Sequence, residues 1–166
     1  MTHFSKQKQF LGLIAWFVLS FAASFVGAIA SIQARSFYGL LSQPTWAPPP
    51  WVFGPVWTVL YAMMAFAAWL VWRNGGIKAN RHALMLFLIQ LAFNALWSWL
   101  FFAWQLGAWA LADIILLWVL IIATLVAFWR ISKLAGALLI PYLLWVTFAG
   151  ALNHALWQLN PQVLGS

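Results

Sequence analysis

Five stretches of this chain run for about 20 residues with hardly a charge among them, the length an α-helix needs to cross the hydrocarbon of a bilayer. They extend from Phe10 to Ala30, Pro55 to Trp72, Ala83 to Trp104, Ala108 to Trp129 and Leu134 to Leu156. The alternating ten-residue segments of a membrane β-barrel are not seen. Of the 166 residues, 66% are hydrophobic and 5% charged. A soluble domain carries about 25% charged residues, so a water-facing fold is excluded. Disorder is excluded because the chain is too apolar and too aromatic. With no cysteine there is no disulfide framework. The expected fold is all-α: a five-helix transmembrane bundle forming a single domain over residues 1–166. Lys6 and Lys8 before the first span, and small residues at its end, imitate a secretory signal. Its apolar run exceeds the 7–15 residues of a signal core, so it reads as a retained helix.

The net charge of +7 comes from eight Lys and Arg against one acid, Asp113. It reflects missing carboxylates rather than a basic surface, so a nucleic-acid partner is not expected. Seven of those cations fall on one side of the membrane. Lys6 and Lys8 precede span one, with His3; Arg73, Lys78 and Arg81 follow span two; Arg130 and Lys133 follow span four. Arg35 alone falls on the other side. The positive-inside rule then makes the N-terminus cytoplasmic and the C-terminus external. The connection 31–54 is much longer than the others. Ser36 to Leu41 has the pattern of one amphipathic turn of helix, and Pro44-Thr45-Trp46-Ala47-Pro48-Pro49-Pro50-Trp51 is held extended by its prolines. A long stiff connection of this kind is usually a lid or binding loop.

Polar side chains in lipid generally face the bundle interior. Gln90, Asn94, Trp97 and Phe101 form one helical stripe, as do Tyr142, Trp145, Ala149 and Asn153. Trp57, Tyr61 and Met64 share a face just after Pro55. Ser20, Ser24, Gly27 and Ser31 form a small-residue face suited to close helix packing. Span direction puts these aromatic and amide groups in the outer half of the bilayer, beneath the proline-rich connection. The pattern predicts an aromatic-walled cavity under a semi-rigid lid.

Each polar group also has a plainer reading. Trp16, Trp51, Trp72, Trp104, Trp109, Trp129 and Trp157 lie near span ends and suit an interfacial belt. Trp57, Trp97 and Trp145 lie deeper and fit wall or belt equally. Asn94 and Asn153 read first as interhelical hydrogen-bond partners. Asp113, about one turn into span four, reads as a helix cap rather than a proton site. His3, His82 and His154 are too scattered for a metal centre, and no nucleophile or carboxylate pair marks an enzyme. His154 reads as an interfacial hydrogen-bonding group rather than a haem ligand.

The run Pro44 to Tyr61 (PTWAPPPWVFGPVWTVLY) closely resembles the signature of the TspO/translocator protein family, the tryptophan-rich sensory and peripheral benzodiazepine receptor type. Gln90-Leu91-Ala92-Phe93-Asn94-Ala95-Leu96-Trp97 with Phe101-Phe102, and Pro141-Tyr142-Leu143-Leu144-Trp145 with Phe148-Ala149 and Leu152-Asn153, resemble its third and fifth helices. The resemblance runs in order from about Tyr38 to Asn160. It implies a five-helix bundle, commonly a homodimer, that takes hydrophobic ligands beneath its first loop. Protoporphyrin IX, haem and related molecules are then ligands, with no cofactor required. The implied pocket residues are Trp46, Pro49, Trp57, Asn94, Trp97, Trp145 and Ala149, to which the helical face adds Tyr61. The same resemblance associates Trp57 and Trp145 with light-dependent porphyrin breakdown. The Tyr-to-Lys/Arg cholesterol motif of animal members is replaced here by His154 and Gln158. Three functions stay open: tetrapyrrole binding for sensing, transport or stress regulation; porphyrin degradation; and a ligand-independent membrane scaffold. A bacterial inner membrane is the expected location.

Overall fold

The computed structural model describes residues 4–165; His3 lies outside them. Helix α1 (Lys6–Ala30) is capped by the Ser5 hydroxyl, which accepts from the Lys8 amide at 3.2 Å. After α2 (Ala34–Leu40) and a single 3₁₀ turn (Pro50–Val52) comes α3 (Phe53–Arg73). A short α4 (Gly76–Ala79) links it to α5 (Arg81–Ser98), which continues as a π turn (Trp99–Ala103). Then follow α6 (Gly107–Ile131), α7 (Lys133–Leu138) and α8 (Ile140–Leu159). Among the described residues, five helical segments are long and apolar enough to cross a membrane: Lys6–Ala30, Pro50–Arg73, Arg81–Ala103, Gly107–Ile131 and Lys133–Leu159. The protein is an integral multi-pass membrane protein.

The spans close into a ring. Helix α1 packs on α3 and α5, α5 on α6, α6 on α7 and α8, and α7 on α3. Along α3 the buried positions Leu60, Met64, Ala67 and Val71 follow helical spacing, and Ala65 and Ala68 let neighbouring backbones close in. Lipid tails are as apolar as leucine, so this close packing, rather than a hydrophobic drive, holds the helices together. Antiparallel order brings Lys6, Lys8, Arg73, Lys78, Arg81, Arg130 and Lys133 to one end of the ring and Arg35 to the other.

Local irregularities occur within the spans and at their ends. Span five is continuous in the sequence reading but consists of α7 and α8, meeting at Leu139 just before Pro141. Proline lacks the N–H that would continue the ladder, and its ring crowds the preceding turn. Span three ends in the π turn, with the Trp104 amide donating to the Trp99 carbonyl at 2.8 Å. Gln105 then adopts φ 56°, a left-handed conformation that a non-glycine residue takes only at some cost. Trp16 departs from the interfacial belt: it is 8% exposed and meets Phe87 edge-on at 5.9 Å, because that side of α1 faces α5. Trp51, Trp104, Trp109 and Trp129 are exposed near span ends.

The turn from α6 to α7 is as tight as a backbone permits. The Ser132 hydroxyl caps α7 by accepting from the Ala135 amide at 3.3 Å. A Cβ on Gly136 would lie 2.8 Å from the Trp129 Cα, a backbone atom with no room to yield. Gly136→Ala is therefore expected to cost about 1–3 kcal/mol through overpacking. Thermal unfolding in detergent checks this, and an unchanged midpoint would show that the two helices separate freely.

Candidate ligand-binding site

A cavity of about 400 Å³ lies at the end of the ring away from the basic cluster, between α1, α2, α3, α5 with its π turn, and α8. Two aromatic walls line it. On one, the Trp57 and Trp145 rings meet at 88° with centroids 6.4 Å apart, and Phe53 adds an edge to Trp145 at 5.9 Å. On the other, Trp97 stacks on Phe101 at 5.4 Å and 18°, and Phe102 stands edge-on to both. Phe102 joins this wall through the π turn, which adds a residue to the helical repeat and rotates the following side chains. Such walls suit a flat, apolar, polarisable ligand.

The polar groups around the cavity are largely occupied with one another. The Tyr61 hydroxyl donates to Asn94 Oδ1 at 2.9 Å, and Asn94 Nδ2 donates to the Tyr142 hydroxyl at 2.6 Å. Tyr142 in turn donates to Gln90 Oε1 at 2.7 Å, and Gln90 Nε2 reaches the Met64 sulfur at 3.8 Å. This ladder joins α3, α5 and α8. A second link runs from Trp97 Nε1 to Asn153 Oδ1 at 3.0 Å, and from Asn153 Nδ2 to the Gly107 carbonyl at 3.1 Å. Both asparagines thus act between helices, while still presenting surface to the cavity. The indole N–H of Trp145, on the cavity wall, is buried with no hydrogen-bond partner among the described residues.

The connection above the cavity is fastened at two points. Asn160, after the end of α8, accepts from the Ser42 amide at 2.8 Å and donates back to the Ser42 carbonyl at 2.8 Å. The Tyr38 hydroxyl donates to the Pro48 carbonyl at 2.9 Å, and its burial raises the tyrosine pKa, so it remains a neutral donor. Between them the Ala47 amide closes a turn onto the Pro44 carbonyl at 3.0 Å, and Pro49 is extended at φ −65°, ψ 149°. The stiffness expected from the prolines is therefore reinforced by tertiary hydrogen bonds.

Of the residues expected at the site, Trp57, Tyr61, Asn94, Trp97, Trp145 and Ala149 line the cavity together. Trp46 and Pro49 do not. Trp46 is 49% exposed and packs edge-on against Phe148 at 5.8 Å, while Pro50, one residue past Pro49, supplies the wall. A loop without a helical period gave no means of predicting which proline turns inward. The small-residue face of α1 does two jobs: Gly27 packs against Ser98, and Ser24, Ala28 and Ser31 line the cavity. Arg35 and Tyr38 from α2 were not anticipated as lining residues.

The structure corrects the reading of Asp113 as a cap. Helix α6 starts at Gly107 behind Leu106, so Asp113 stands in its second turn, beyond the free N–H groups of the first. It is 6% exposed, and neither carboxylate oxygen has a hydrogen-bond partner among the described residues. His154 is exposed beside Trp157 and is not among the residues lining the cavity. No cluster of metal-ligating side chains occurs among the described residues.

Removing the Asn160 amide leaves the Ser42 N–H and C=O without partners. Asn160→Ala is expected to lower stability by about 1–3 kcal/mol and to raise hydrogen exchange at the Ser42 amide. Exchange as slow as in the wild type would mean that the lid is held elsewhere.

Comparison with known proteins agrees with this architecture. A profile of the TspO/MBR family matches residues 14–158. Tryptophan-rich protein TspO of Chlorobaculum tepidum is 44% identical over 156 residues, 93% of this chain and 99% of that protein. Protein CrtK of Rhodobacter capsulatus is 38% identical over 149 residues, covering 88% and 91% of the two chains. The human translocator protein is 40% identical over 130 residues, 77% of each. With most of its length matched in profile and relatives alike, the chain belongs to the TspO/MBR family of membrane proteins.

Proposed function

We propose that this protein binds tetrapyrroles such as protoporphyrin IX or haem beneath its first connection, and serves in porphyrin sensing, transport or stress regulation. The observation that carries the reading is the pair of indoles, Trp57 and Trp145, set perpendicular in a cavity whose tyrosine and asparagine groups are bonded to one another. A flat apolar macrocycle gains stacking and edge contacts there that lipid chains do not offer. Relatives named tryptophan-rich sensory protein and translocator protein support a sensory or binding role in a membrane. In this reading the protein sits in a bacterial inner membrane with its basic end cytoplasmic and its lidded cavity on the outer side, as a homodimer.

Protoporphyrin IX is expected to bind saturably to the purified protein. Replacing both indoles, Trp57→Leu with Trp145→Leu, should weaken it by roughly tenfold through the lost aromatic contacts. A shift in the porphyrin absorption band reports binding without relying on the tryptophans removed. Equal affinity in the double variant would overturn the assigned site.

The adjacency of the same two indoles also favours a second reading, light-driven porphyrin breakdown. Illumination should then bleach bound porphyrin to a distinct product in the wild type and not in the double variant. Bleaching no faster than in empty micelles would remove that reading.

A further inference from the structure

We infer that Arg35 is the charge-recognising residue of the cavity and that the ligand is an amphipathic carboxylate, held with its flat apolar body inside and its acid at the mouth. This rests on the tetrapyrrole reading for the identity of the body, but not for the acid.

Arg35 is the one ionisable cationic or acidic side chain on the cavity wall. The lining residues that are themselves exposed, Ala28, Arg35, Gly54 and Thr58, mark the opening, between the end of α1 and the start of α3. The guanidinium therefore stands at the rim rather than in the floor. The only acid of the chain, Asp113, is buried in α6, and Arg35 has no ion-pair partner among the described residues. An arginine at a lipid-water boundary gives a carboxylate a planar, two-pronged cationic donor.

The interior offers no cationic group to compete for a carboxylate; the unpartnered Trp145 indole N–H is a neutral donor. Asn94 and Asn153 are tied into interhelical bonds, and the hydroxyls of Tyr38 and Tyr61 are committed to Pro48 and Asn94. Burying an ionised group among those aromatic walls would cost far more than leaving it at the rim. Charge placement is also selective at the level of the whole chain: the other seven Lys and Arg lie at the opposite end of the ring, and Arg35 alone is at this one. A macrocycle with propionates on one edge has that polarity, apolar face in and acid edge out.

The test compares protoporphyrin IX with its dimethyl ester, the same ring without charge, in detergent near neutral pH. The wild type should prefer the diacid by about tenfold, the effect of one charge-assisted contact of about 1.4 kcal/mol. In Arg35→Gln the diacid should fall to the level of the ester, and Arg35→Lys should keep part of the preference. Equal affinities in the wild type, or a preference undiminished in a folded Arg35→Gln protein, would overturn the assignment. Should neither porphyrin bind saturably, the tetrapyrrole reading fails. Pyrenebutyric acid against its methyl ester then decides Arg35 alone: a charge preference lost in Arg35→Gln supports it, and no preference ends it.

Discussion

The hydrogen-bonded ladder Tyr61–Asn94–Tyr142–Gln90 is what makes a cavity in this bundle compatible with a stable fold. A void between helices removes the packing contacts that hold them together in lipid. Here α3, α5 and α8 are joined at the cavity floor by three polar contacts of 2.6–2.9 Å. Interhelical bonds in membranes average about 0.6 kcal/mol and reach about 1.7, so the ladder contributes a few kcal/mol at most. Its larger effect is geometric. Asn94 accepts from α3 and donates to α8, and Gln90 accepts from α8 and donates to α3, so the two amides of α5 tie all three helices into one register. Trp57 packs against both tyrosines of the ladder, with centroids 5.8 Å from Tyr61 and 6.3 Å from Tyr142, and meets Trp145 at 88°.

The upper boundary uses the same logic with weaker elements. Residues 41–49 have no helix of their own, and their backbone groups need partners. Asn160 satisfies both polar groups of Ser42, and Tyr38 satisfies Pro48. A lid held by a few hydrogen bonds opens at less cost than a helix unpacks, while its prolines keep it from collapsing into the space below.

What could be read from the sequence divides by periodicity. The spans were legible because length and apolarity dictate them in lipid, and the stripes Gln90–Asn94–Trp97–Phe101 and Tyr142–Trp145–Ala149–Asn153 because 3.6-residue spacing puts them on one face. Short α2 was legible over Ser36 to Leu41 for the same reason. Where periodicity stops, so did foresight. The π turn brings Phe102 to the wall by breaking the regular repeat, and the inward proline of the loop is Pro50 rather than Pro49. Trp16 looked interfacial by depth alone, but its side of α1 faces Phe87. Asp113 is a different case: a helix start at Ala108 already puts it in the second turn, beyond the free N–H groups that a cap could reach.

The abundance of tryptophan at the cavity has a physical reason beyond polarity. A ligand moving from lipid into an apolar pocket leaves one hydrocarbon environment for another, so the hydrophobic effect contributes little to the choice between them. Discrimination has to come from interactions that acyl chains lack. Indoles supply a polarisable face with a directed quadrupole, and their rigidity limits the entropy lost on binding. Aliphatic walls of the same volume would match lipid itself and select nothing. The cavity carries aromatic rather than aliphatic walls, and its amides Asn94 and Asn153 are occupied by interhelical hydrogen bonds. Fourteen tryptophans are in this sense two populations: some lie exposed near the span ends, and a smaller set around Trp57, Trp97 and Trp145 lines the cavity.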